Sequence, residues 1–334
     1  MCYNCSLFFN RLTFKQHRLN IEKVKRMRHF INLNDIKIKE LHRILDLSAS
    51  IKNELKSGVM PPYLAGKMLA MIFEKLSLRT RVSFETGMFQ LGGSAMYLGS
   101  ETGGIGKRES VKDFSEVLSS MVDVIMFRAM KHRSVTDFAK YSSCPVINGL
   151  TDLSHPCQAL ADVLTIREVF GEFKKLKLAW VGDANNVAVS LVQAVAKLGM
   201  KVSIAAPAGF QFRDKNLRGL GREIDPAFEI ELTDSPAKAV RDAHVVVTDV
   251  WVSMGQEDET EHRKQVFAQY QVNEKLMKKA RKDAIFMHCL PARRGLEVTD
   301  EVMDSEQSKI VQEAENRLHV QKGLLVWLLN EANR

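Results

Sequence analysis

The stretch MLAMIFEKLSLRTRVSFETGMFQL, residues 68–91, decides the fold of this chain. Its first part, Met68–Phe73, is a continuous apolar run, which is typical of a parallel β-strand covered on both faces. A polar cluster, Ser77–Arg81, follows, and the apolar spacing from Val82 to Leu91 then predicts a helix. A strand followed by a helix is half of a βαβ unit, so the stretch indicates a parallel sheet with covering helices.

Similar apolar runs alternate with helical patterns along the rest of the chain. Predicted strands occur at Met68–Phe73, Val122–Phe127, Val146–Asn148, Leu178–Val181, Lys201–Ala205, His244–Val247 and Ala284–His288. This alternation predicts an α/β fold with a doubly wound parallel sheet. A length of 334 residues favours two domains of roughly 150 residues each, and the basic stretch Phe170–Lys177 is a candidate junction.

Composition excludes several classes of protein. Hydrophobic residues make up 45% and charged residues 26% of the chain, which excludes a disordered or collagen-like protein. No apolar run reaches the roughly 20 residues that span a bilayer, and the start lacks a signal-peptide pattern, so we expect no membrane partner and no secretion. The five cysteines are scattered and odd in number, which argues against a disulfide framework. No second pair or His cluster completes a metal site with Cys2 and Cys5.

The net charge of +8 is concentrated at the start of the chain. Residues 1–26 hold six Lys or Arg and one Glu, a balance of +5, which leaves +3 for the body. Such a balance fits an anionic small substrate as well as a polynucleotide. We interpret residues 1–26 as a basic N-terminal extension, either dispensable or a transit peptide. The first helix, capped by Asn34 or Asp35, is expected soon after Met27.

Polar clusters follow six of the predicted strands. Ligands of open α/β sheets bind just beyond the carboxyl ends of the strands. The clusters are Ser77–Arg81, Arg128, His155–Gln158, Gly182–Asn186, Asp249 with Ser253–Gly255, and Cys289–Pro291. Their equivalent positions predict a ligand cleft between two sheets.

Two of these clusters suit an anion. Ser77–Arg81 lies at a helix N-terminus, where N–H groups, hydroxyls and an Arg fork can bind phosphate. The alternative is that Ser77 is an ordinary N-cap and the arginines are solvated. Arg128 follows an apolar strand, where an unpaired charge is costly, so it needs either an internal carboxylate or an anionic ligand.

The remaining clusters allow more than one interpretation. His155 before Pro156 is either a plain helix start or, with Gln158 one turn later, half of a ligand site. Asp249 and Cys289 end separate strands and suit the orientation of a cationic amine better than covalent catalysis, because His288 is expected on the opposite face. Cys289 is alternatively a buried, inert thiol. Gly182–Asn186 lacks the G-x-G-x-x-G pattern of a dinucleotide site.

Taken together, these motifs resemble those of the aspartate/ornithine carbamoyltransferase family. The matching segments are S-x-R-T-R at 77–81, Arg128, H-P-x-Q at 155–158, D-x-x-x-S-M-G at 249–255, H-C-L-P at 288–291 and A-E-N-R at 314–317. The resemblance runs from about Arg28 to the C-terminus. The segments Asp249–Gly255 and His288–Pro291 resemble the ornithine-specific members in particular.

This resemblance implies an architecture and a reaction. The fold would be α/β, with two doubly wound parallel-sheet domains joined by interdomain helices. Residues 27–170 would bind carbamoyl phosphate, with a C-terminal helix 316–334 packing back on them, and 171–315 would bind ornithine. The carbamoyl group would pass to the δ-amine by direct attack, without cofactor, metal or covalent intermediate. A cytoplasmic homotrimer, or a multiple of trimers, serving arginine biosynthesis is implied, with organellar targeting by residues 1–26 left open.

The resemblance also implies site residues. The set that would contact carbamoyl phosphate is Ser77, Leu78, Arg79, Thr80, Gly104, Arg128, His155, Gln158, Cys289, Leu290 and Arg317. Catalytic roles are implied for Arg128, His155, Gln158, Cys289 and Arg317. The α-carboxylate and α-amine of ornithine would meet Asn186, Asp249, Ser253 and Met254.

Some positions depart from the family pattern. Leu78 replaces a Thr and Gly104 replaces a Gln on the loop Gly103–Ser110, which would reach a neighbouring subunit. These departures leave substrate affinity open. The stretch Trp251–Arg263 is a predicted lid over ornithine.

Three other functions remain to be weighed against this one. The first is a carbamoyltransferase for putrescine or N-acetylornithine, and the second is a non-catalytic ornithine-binding homologue. A NAD-linked dehydrogenase is the third, and the missing glycine fingerprint argues against it.

Overall fold

Two parallel β-sheets are the framework of the computed structural model, which describes residues 27–99, 108–221, 223–253 and 256–333. The strands are β1 Met68–Phe73, β2 Ser94–Leu98, β3 Val124–Arg128, β4 Val146–Leu150, β5 Lys177–Val181, β6 Lys201–Ala205, β7 Glu229–Thr233, β8 Val245–Thr248 and β9 Ile285–His288. The first sheet has the order β2-β1-β3-β4 and the second β7-β6-β5-β8-β9. All neighbouring strands in both sheets are parallel, which confirms the predicted fold class.

Helices connect these strands. They are α1 Ile38–Lys56, α2 Leu78–Gln90, α3 Val111–Met121, α4 His132–Tyr141, α5 Pro156–Phe170, α6 Asn186–Lys197, α7 Asp214–Arg218, α8 Pro236–Val240, α9 Thr260–Phe267, α10 Glu274–Met277, α11 Asp300–Met303 and α12 Ile310–Trp327. Short 3-10 turns occur at Leu33–Asp35, Glu257–Glu259 and Ala268–Tyr270, and a π-turn at Leu328–Ala332 ends α12. None of the described helices is long and apolar enough to cross a membrane.

The seven predicted strands are present within two residues of their predicted bounds, but β2 and β7 are missing from the prediction. Both are edge strands whose side chains are only partly buried. In β7, Ile230 and Leu232 alternate with Glu229 and Glu231, so the strand is not a continuous apolar run. A search for period-two alternation would have found it.

The predictions for both terminal helices need correction. Asn34 and Asp35 do not cap α1; they lie in the short 3-10 turn, which Asn32 caps, and α1 begins at Ile38 after an extended Ile36. The last helix was expected from about Asn316 and instead begins at Ile310. The extension 1–26, with Cys2 and Cys5, lies outside the described residues.

A single apolar layer lies between the two sheets. From β1, Leu69 and Met71 point into it, whereas Ala70 and Ile72 pack in a separate cluster on the other face, as the alternation of a strand requires. Trp180 of β5 belongs to the same layer from the second sheet. Helices α5, α6 and α12 contribute the side chains in between. The two sheets are therefore joined by a shared core of interdomain helices.

Helix α12 crosses α1 at very close range. A Cβ built on Gly323 would collide with Ser48 Oγ and would lie 2.8 Å from the Ile44 carbonyl oxygen. The absence of a side chain at Gly323 lets the two backbones approach. Gly87 of α2 also faces α12, but a Cβ there would lie 3.4 Å from Lys322 Cγ, a contact that a flexible side chain can relieve.

We therefore predict that Gly323→Ala destabilises the protein whereas Gly87→Ala does not. Overpacking at Gly323 should lower the free energy of unfolding by about 1–3 kcal/mol. Gly87→Ala should change it by less than about 1 kcal/mol, since a helical alanine offsets the tighter contact. Urea unfolding of both variants beside the wild type measures the difference, and equal stability of the two variants would contradict the close crossing.

Candidate active site

Several predicted site residues of the described chain lie at the carboxyl ends of strands in the two sheets. In the first sheet β1 and β3 are neighbours although β2 intervenes in sequence, and in the second β5 and β8 have the same relation. Such reversals of strand order open a crevice where ligands bind. Ser77 and Thr80 follow β1, Arg128 ends β3, and Asp249 follows β8. The two crevices bring the polar clusters of both sheets into one region.

The hydroxyl of Thr80 is the meeting point on the first sheet. Arg317 Nη2 donates to Thr80 Oγ1 at 2.7 Å, and Arg128 Nη1 donates to the same oxygen at 3.4 Å. Ser77 Oγ donates to it as well, at 3.0 Å, and Ser77 caps α2. Three donors share the two lone pairs of Thr80 Oγ1, so its own hydrogen is available for another acceptor.

Arg128 and Arg317 are buried cations without a carboxylate partner in the described part of the chain. Their side chains are 7% and 3% exposed, and the Nε of each has no hydrogen-bond partner there. Burial, with the charges of Arg317 and Arg79, lowers the pKa of Arg128 to about 10. Burial also lowers the pKa of Arg317. Uncompensated buried charge is costly, so this arrangement suits an anionic ligand.

The other residues of the Ser77–Arg81 cluster divide between the site and the surface. Leu78 and Arg79 form the first turn of α2, where backbone N–H groups have no partner within the helix. The Leu78 side chain is exposed. Arg81 points away, since its Nε donates to Glu85 and its guanidinium stacks on Tyr97 at 4.3 Å. The solvated alternative therefore holds for Arg81.

His155 is the N-cap of α5 and Pro156 is its first residue, so this segment is a helix start. The imidazole is nevertheless buried, and Nδ1 has no partner among the described residues. Burial, followed by the charges of Arg317 and Arg128, holds the pKa of His155 well below its usual range. The ring is therefore neutral at pH 7 and can donate one N–H.

Gln158, one turn into α5, presents an acceptor. Its Nε2 donates to Asp162 Oδ1 and to Glu313 Oε1, both at 2.8 Å. Its Oε1 is buried and has no partner within the residues that the structure describes. Gln158 thus offers a fixed oxygen beside a group of donors, which suits a ligand that carries an NH2 group.

On the second sheet, Asp249 binds the thiol of Cys289. Cys289 Sγ donates to Asp249 Oδ1 at 3.3 Å, and Asn185 Nδ2 donates to Asp249 Oδ2 at 2.7 Å. Burial, and then the charge of Asp249, raise the pKa of Cys289 well above its usual range. The thiol is protonated at neutral pH, so it is a poor covalent nucleophile.

The prediction that His288 points away from this pair needs correction. A ring nitrogen of His288, a carboxylate oxygen of Asp249 and Cys289 Sγ lie within 4.8 Å of one another. The strand ends at His288 and the chain then turns through Leu290, which has a φ of 57°, so strict strand alternation no longer applies. In the described part of the chain this trio is the group whose donors could hold a metal ion. The expectation that the reaction needs no metal stays a prediction.

Other predicted residues take part in structural contacts. Asn186 Nδ2 donates to the Thr151 carbonyl oxygen at 2.7 Å, which ties α6 to the loop before α5. The backbone N–H of Ser253 donates to Gln256 Oε1 at 3.0 Å. Asp183 forms a buried ion pair with Arg263 at 2.8 Å, which anchors the predicted lid to the end of β5. Gly104 and Met254 lie outside the described residues.

Two buried acids at the site were not predicted from sequence. Asp162 lies four residues after Gln158 on α5, and Glu313 lies four residues before Arg317 on α12. Each pair therefore shares one helical face. That spacing was a usable signal, but only the folded chain shows that the two acids meet.

Comparison with known proteins assigns both halves of the chain. Residues 28–168 match the carbamoyl-phosphate-binding domain, and residues 174–328 the Asp/Orn-binding domain, of aspartate/ornithine carbamoyltransferases. The ornithine carbamoyltransferase of Carboxydothermus hydrogenoformans is 49% identical over 91% of this chain and 98% of its own length. That of Anoxybacillus flavithermus is 50% identical over 90% of this chain and 96% of its own. The ornithine carbamoyltransferase structure from Pyrococcus furiosus superposes with a TM-score of 0.86 at 48% identity, covering 89% of this chain and 96% of that one.

Proposed function

The chain belongs to the aspartate/ornithine carbamoyltransferase family, and from that premise we propose how its site performs the reaction. The enzyme transfers the carbamoyl group of carbamoyl phosphate to the δ-amine of L-ornithine, giving L-citrulline and phosphate. One observation carries the proposal: two buried arginines without carboxylate partners in the described chain converge on Thr80, and Gln158 Oε1, one turn after His155, is a buried acceptor without a partner there. An acyl phosphate with an amide end matches that pattern of donors and acceptor.

We assign carbamoyl phosphate to residues 27–170 with the C-terminal helix 316–334. Its phosphate lies at the N-terminus of α2, on Ser77, Arg79, Thr80 and the backbone N–H of Leu78. The exposed Leu78 side chain supports a backbone role, so the replacement of Thr there costs little. Gly104 from a neighbouring subunit adds a contact.

The carbonyl oxygen of carbamoyl phosphate lies among Arg128, His155 and Arg317, and Gln158 Oε1 accepts from its NH2 group. The neutral imidazole of His155 supplies one N–H, and the two guanidinium groups supply fixed positive charge. Donors placed in advance around a carbonyl oxygen stabilise the negative charge that develops during attack.

We assign ornithine to residues 171–315. Asn186 contacts the α-carboxylate, while Asp249 and Ser253 contact the α-amine and the Met254 backbone closes over it. The Cys289 thiol and the Leu290 carbonyl oxygen orient the δ-amine. A protonated Cys289, donating to Asp249, supports orientation in place of covalent catalysis.

Direct attack then completes the reaction. The lone pair of the neutral δ-amine bonds to the carbonyl carbon, and the bond from that carbon to the phosphate oxygen breaks. Phosphate leaves with the electron pair, stabilised by Arg79 and the α2 terminus, and the excess proton of the amine passes to phosphate or water. Most of the rate enhancement comes from positioning two bound substrates.

A substrate panel tests the function. With carbamoyl phosphate as donor, citrulline formation from ornithine should exceed carbamoylation of putrescine or N-acetylornithine by roughly 100-fold in kcat/KM, because only ornithine satisfies the polar groups at Asp249. Colorimetric ureido assays measure all three amines. Equal turnover of putrescine, or an absence of citrulline with a folded protein, would contradict the proposal.

Paired substitutions test the assignment of the two half-sites. Arg79→Ala should weaken carbamoyl phosphate binding by about 10- to 100-fold, the usual effect of losing hydrogen bonds to a charged ligand. Asp249→Ala should weaken ornithine binding far more than carbamoyl phosphate binding. Calorimetry measures both, and Arg81→Ala is the matched control, since Arg81 bonds Glu85 at the surface. Parallel losses for both ligands in Asp249→Ala would refute the division.

We further propose a cytoplasmic homotrimer, or a multiple of trimers, that serves arginine synthesis. The kinship with bacterial and archaeal relatives supports the compartment. Exposed apolar side chains on α2, β2 and α3 support self-association: Leu78, Val82, Phe89, Met96, Val117 and Met121. Apolar surface of this kind marks interfaces between subunits.

Sedimentation equilibrium tests the assembly. The wild type should have three times the chain mass of 37.8 kDa, or a multiple of it, and Phe89→Lys should shift the equilibrium toward smaller species. Val311→Lys is the matched control, because Val311 is 76% exposed on α12 and Phe89 is 74% exposed on α2. A monomeric wild type would contradict the trimer.

A further inference from the structure

We propose that Asp162 and Glu313 form a positioning pair, which holds Gln158 Oε1 toward the carbamoyl NH2 group and fixes the turn at His288 on the ornithine side. This inference rests on the proposed function, because it takes Gln158 as the residue that reads the carbamoyl NH2 group. Neither acid touches a substrate in this scheme. Their role is to hold Gln158, which contacts carbamoyl phosphate, and His288, whose neighbour Cys289 contacts ornithine.

The pair is fully enclosed. Asp162 and Glu313 are each 1% exposed, and they lie on α5 and α12, the helices that pack between the two sheets. Both carboxyl groups accept from the same Gln158 amide nitrogen, so they are close neighbours. Burial raises the pKa of Asp162 to about 7. Burial, and then the charge of Asp162, raise the pKa of Glu313 well above its usual range. Two buried carboxyl groups this close disfavour each other's ionisation.

The pair leaves Gln158 one orientation. Both hydrogens of its amide are used, one on Asp162 and one on Glu313, at 2.8 Å each. Rotating the amide by half a turn would set its oxygen against two carboxyl groups and lose both bonds. Gln158 Oε1 is therefore held as the acceptor that faces the ligand, and it can distinguish an NH2 group from a CH3 group of the same size.

The same glutamate also reaches the other substrate. Glu313 Oε2 accepts from the backbone N–H of His288 at 2.8 Å, at the end of β9. The next residue, Cys289, bonds to Asp249. The Glu313 side chain thus fixes both Gln158, which binds the carbamoyl NH2 group, and the turn at His288, which orients the attacking amine. A small error in either position would lower the rate steeply.

The test compares carbamoyl phosphate with acetyl phosphate, which replaces NH2 by CH3 and keeps the carbonyl and phosphate. In the full-length wild type, calorimetry should give at least about tenfold tighter binding of carbamoyl phosphate, because acetyl phosphate leaves Gln158 Oε1 unpaired. In Glu313→Gln a single amide oxygen replaces the two carboxylate oxygens, so Gln158 Nε2 and the His288 N–H cannot both keep their acceptor. Where the new NH2 group faces Gln158, the ratio should fall to within about threefold. The kcat of Glu313→Gln should drop by about 10- to 100-fold. Inorganic phosphate should still bind normally, since the arginines are untouched.

Two further variants separate positioning from folding. Asp162→Asn keeps an oxygen for Gln158 and donates an N–H to Glu313, so it should retain the wild-type preference. Glu315→Gln is the matched control on the same helix, where the carboxylate faces His319 at 3.2 Å and leaves Gln158 alone. If Glu313→Gln does not fold, Glu313→Asp provides the same test, because the shorter acid cannot reach both partners.

Each result has one interpretation. Loss of the preference in Glu313→Gln, with phosphate binding and thermal stability retained, supports the pair. A folded Glu313→Gln that keeps both the wild-type ratio and the wild-type kcat overturns it, and so does a parallel loss of phosphate binding, which would mark a merely structural role. If the wild type binds carbamoyl phosphate and acetyl phosphate equally, Gln158 does not recognise the carbamoyl NH2 group. That result would contradict the proposed function as well.

Discussion

Two guanidinium groups from distant parts of the chain donate to one buried hydroxyl, that of Thr80, and most of the fold serves to keep them there. Collecting positive charge in a low-dielectric interior costs several kcal/mol per ion. The core between the sheets must offset that cost. Arg317 is held because α12 is locked against α1, and because its neighbour Asn316 accepts from the buried Lys52 at 2.6 Å and donates to Thr165 at 2.9 Å. The two guanidinium groups are thus positioned by the helix layer between the sheets.

Polar contacts join the two halves of the molecule both at the site and away from it. At the site, the Asn186 side chain donates to the Thr151 carbonyl oxygen, Ser190 Oγ accepts from the His155 backbone at 2.8 Å, and Glu313 Oε1 accepts from Gln158 at 2.8 Å. Away from it, Asn34 Nδ2 donates to the Gly219 carbonyl oxygen at 2.8 Å and the Ile38 N–H donates to Glu223 at 2.9 Å, and apolar side chains of the shared core lie between these contacts. This division gives the interface its stability through packing and its register through hydrogen bonds, which are directional where packing is not.

The sequence predicts most of this framework because buried parallel strands are continuous apolar runs. It misses β2 and β7 because edge strands are only half buried, and it misplaces the start of α12 because nothing before Asn316 resembled a cap. As the polar clusters predicted, Arg128 ends a strand, and Thr80, His155 and Asp249 follow strands. Asp162 and Glu313 were not predicted, because their role arises from a contact between two helices. The two residues lie 151 positions apart, counting from 162 to 313, and a single sequence does not reveal that pairing. For Arg81 the sequence left a solvated position open, and the structure shows one, since neighbours in sequence on a helix need not share a face.

Within the residues that the structure describes, no further strand pairs with the outer side of β7, which is the edge of the second sheet. A bare strand edge is a template for another chain, and natural proteins block it with charge. Glu229 pairs with Lys201 at 3.0 Å and Glu231 pairs with Lys238 at 2.8 Å, so this border of the sheet is lined with ion pairs. A second copy that approached edge-on would have to strip these groups of water. Strand addition, and the aggregation that grows from it, is therefore disfavoured on this side of the molecule.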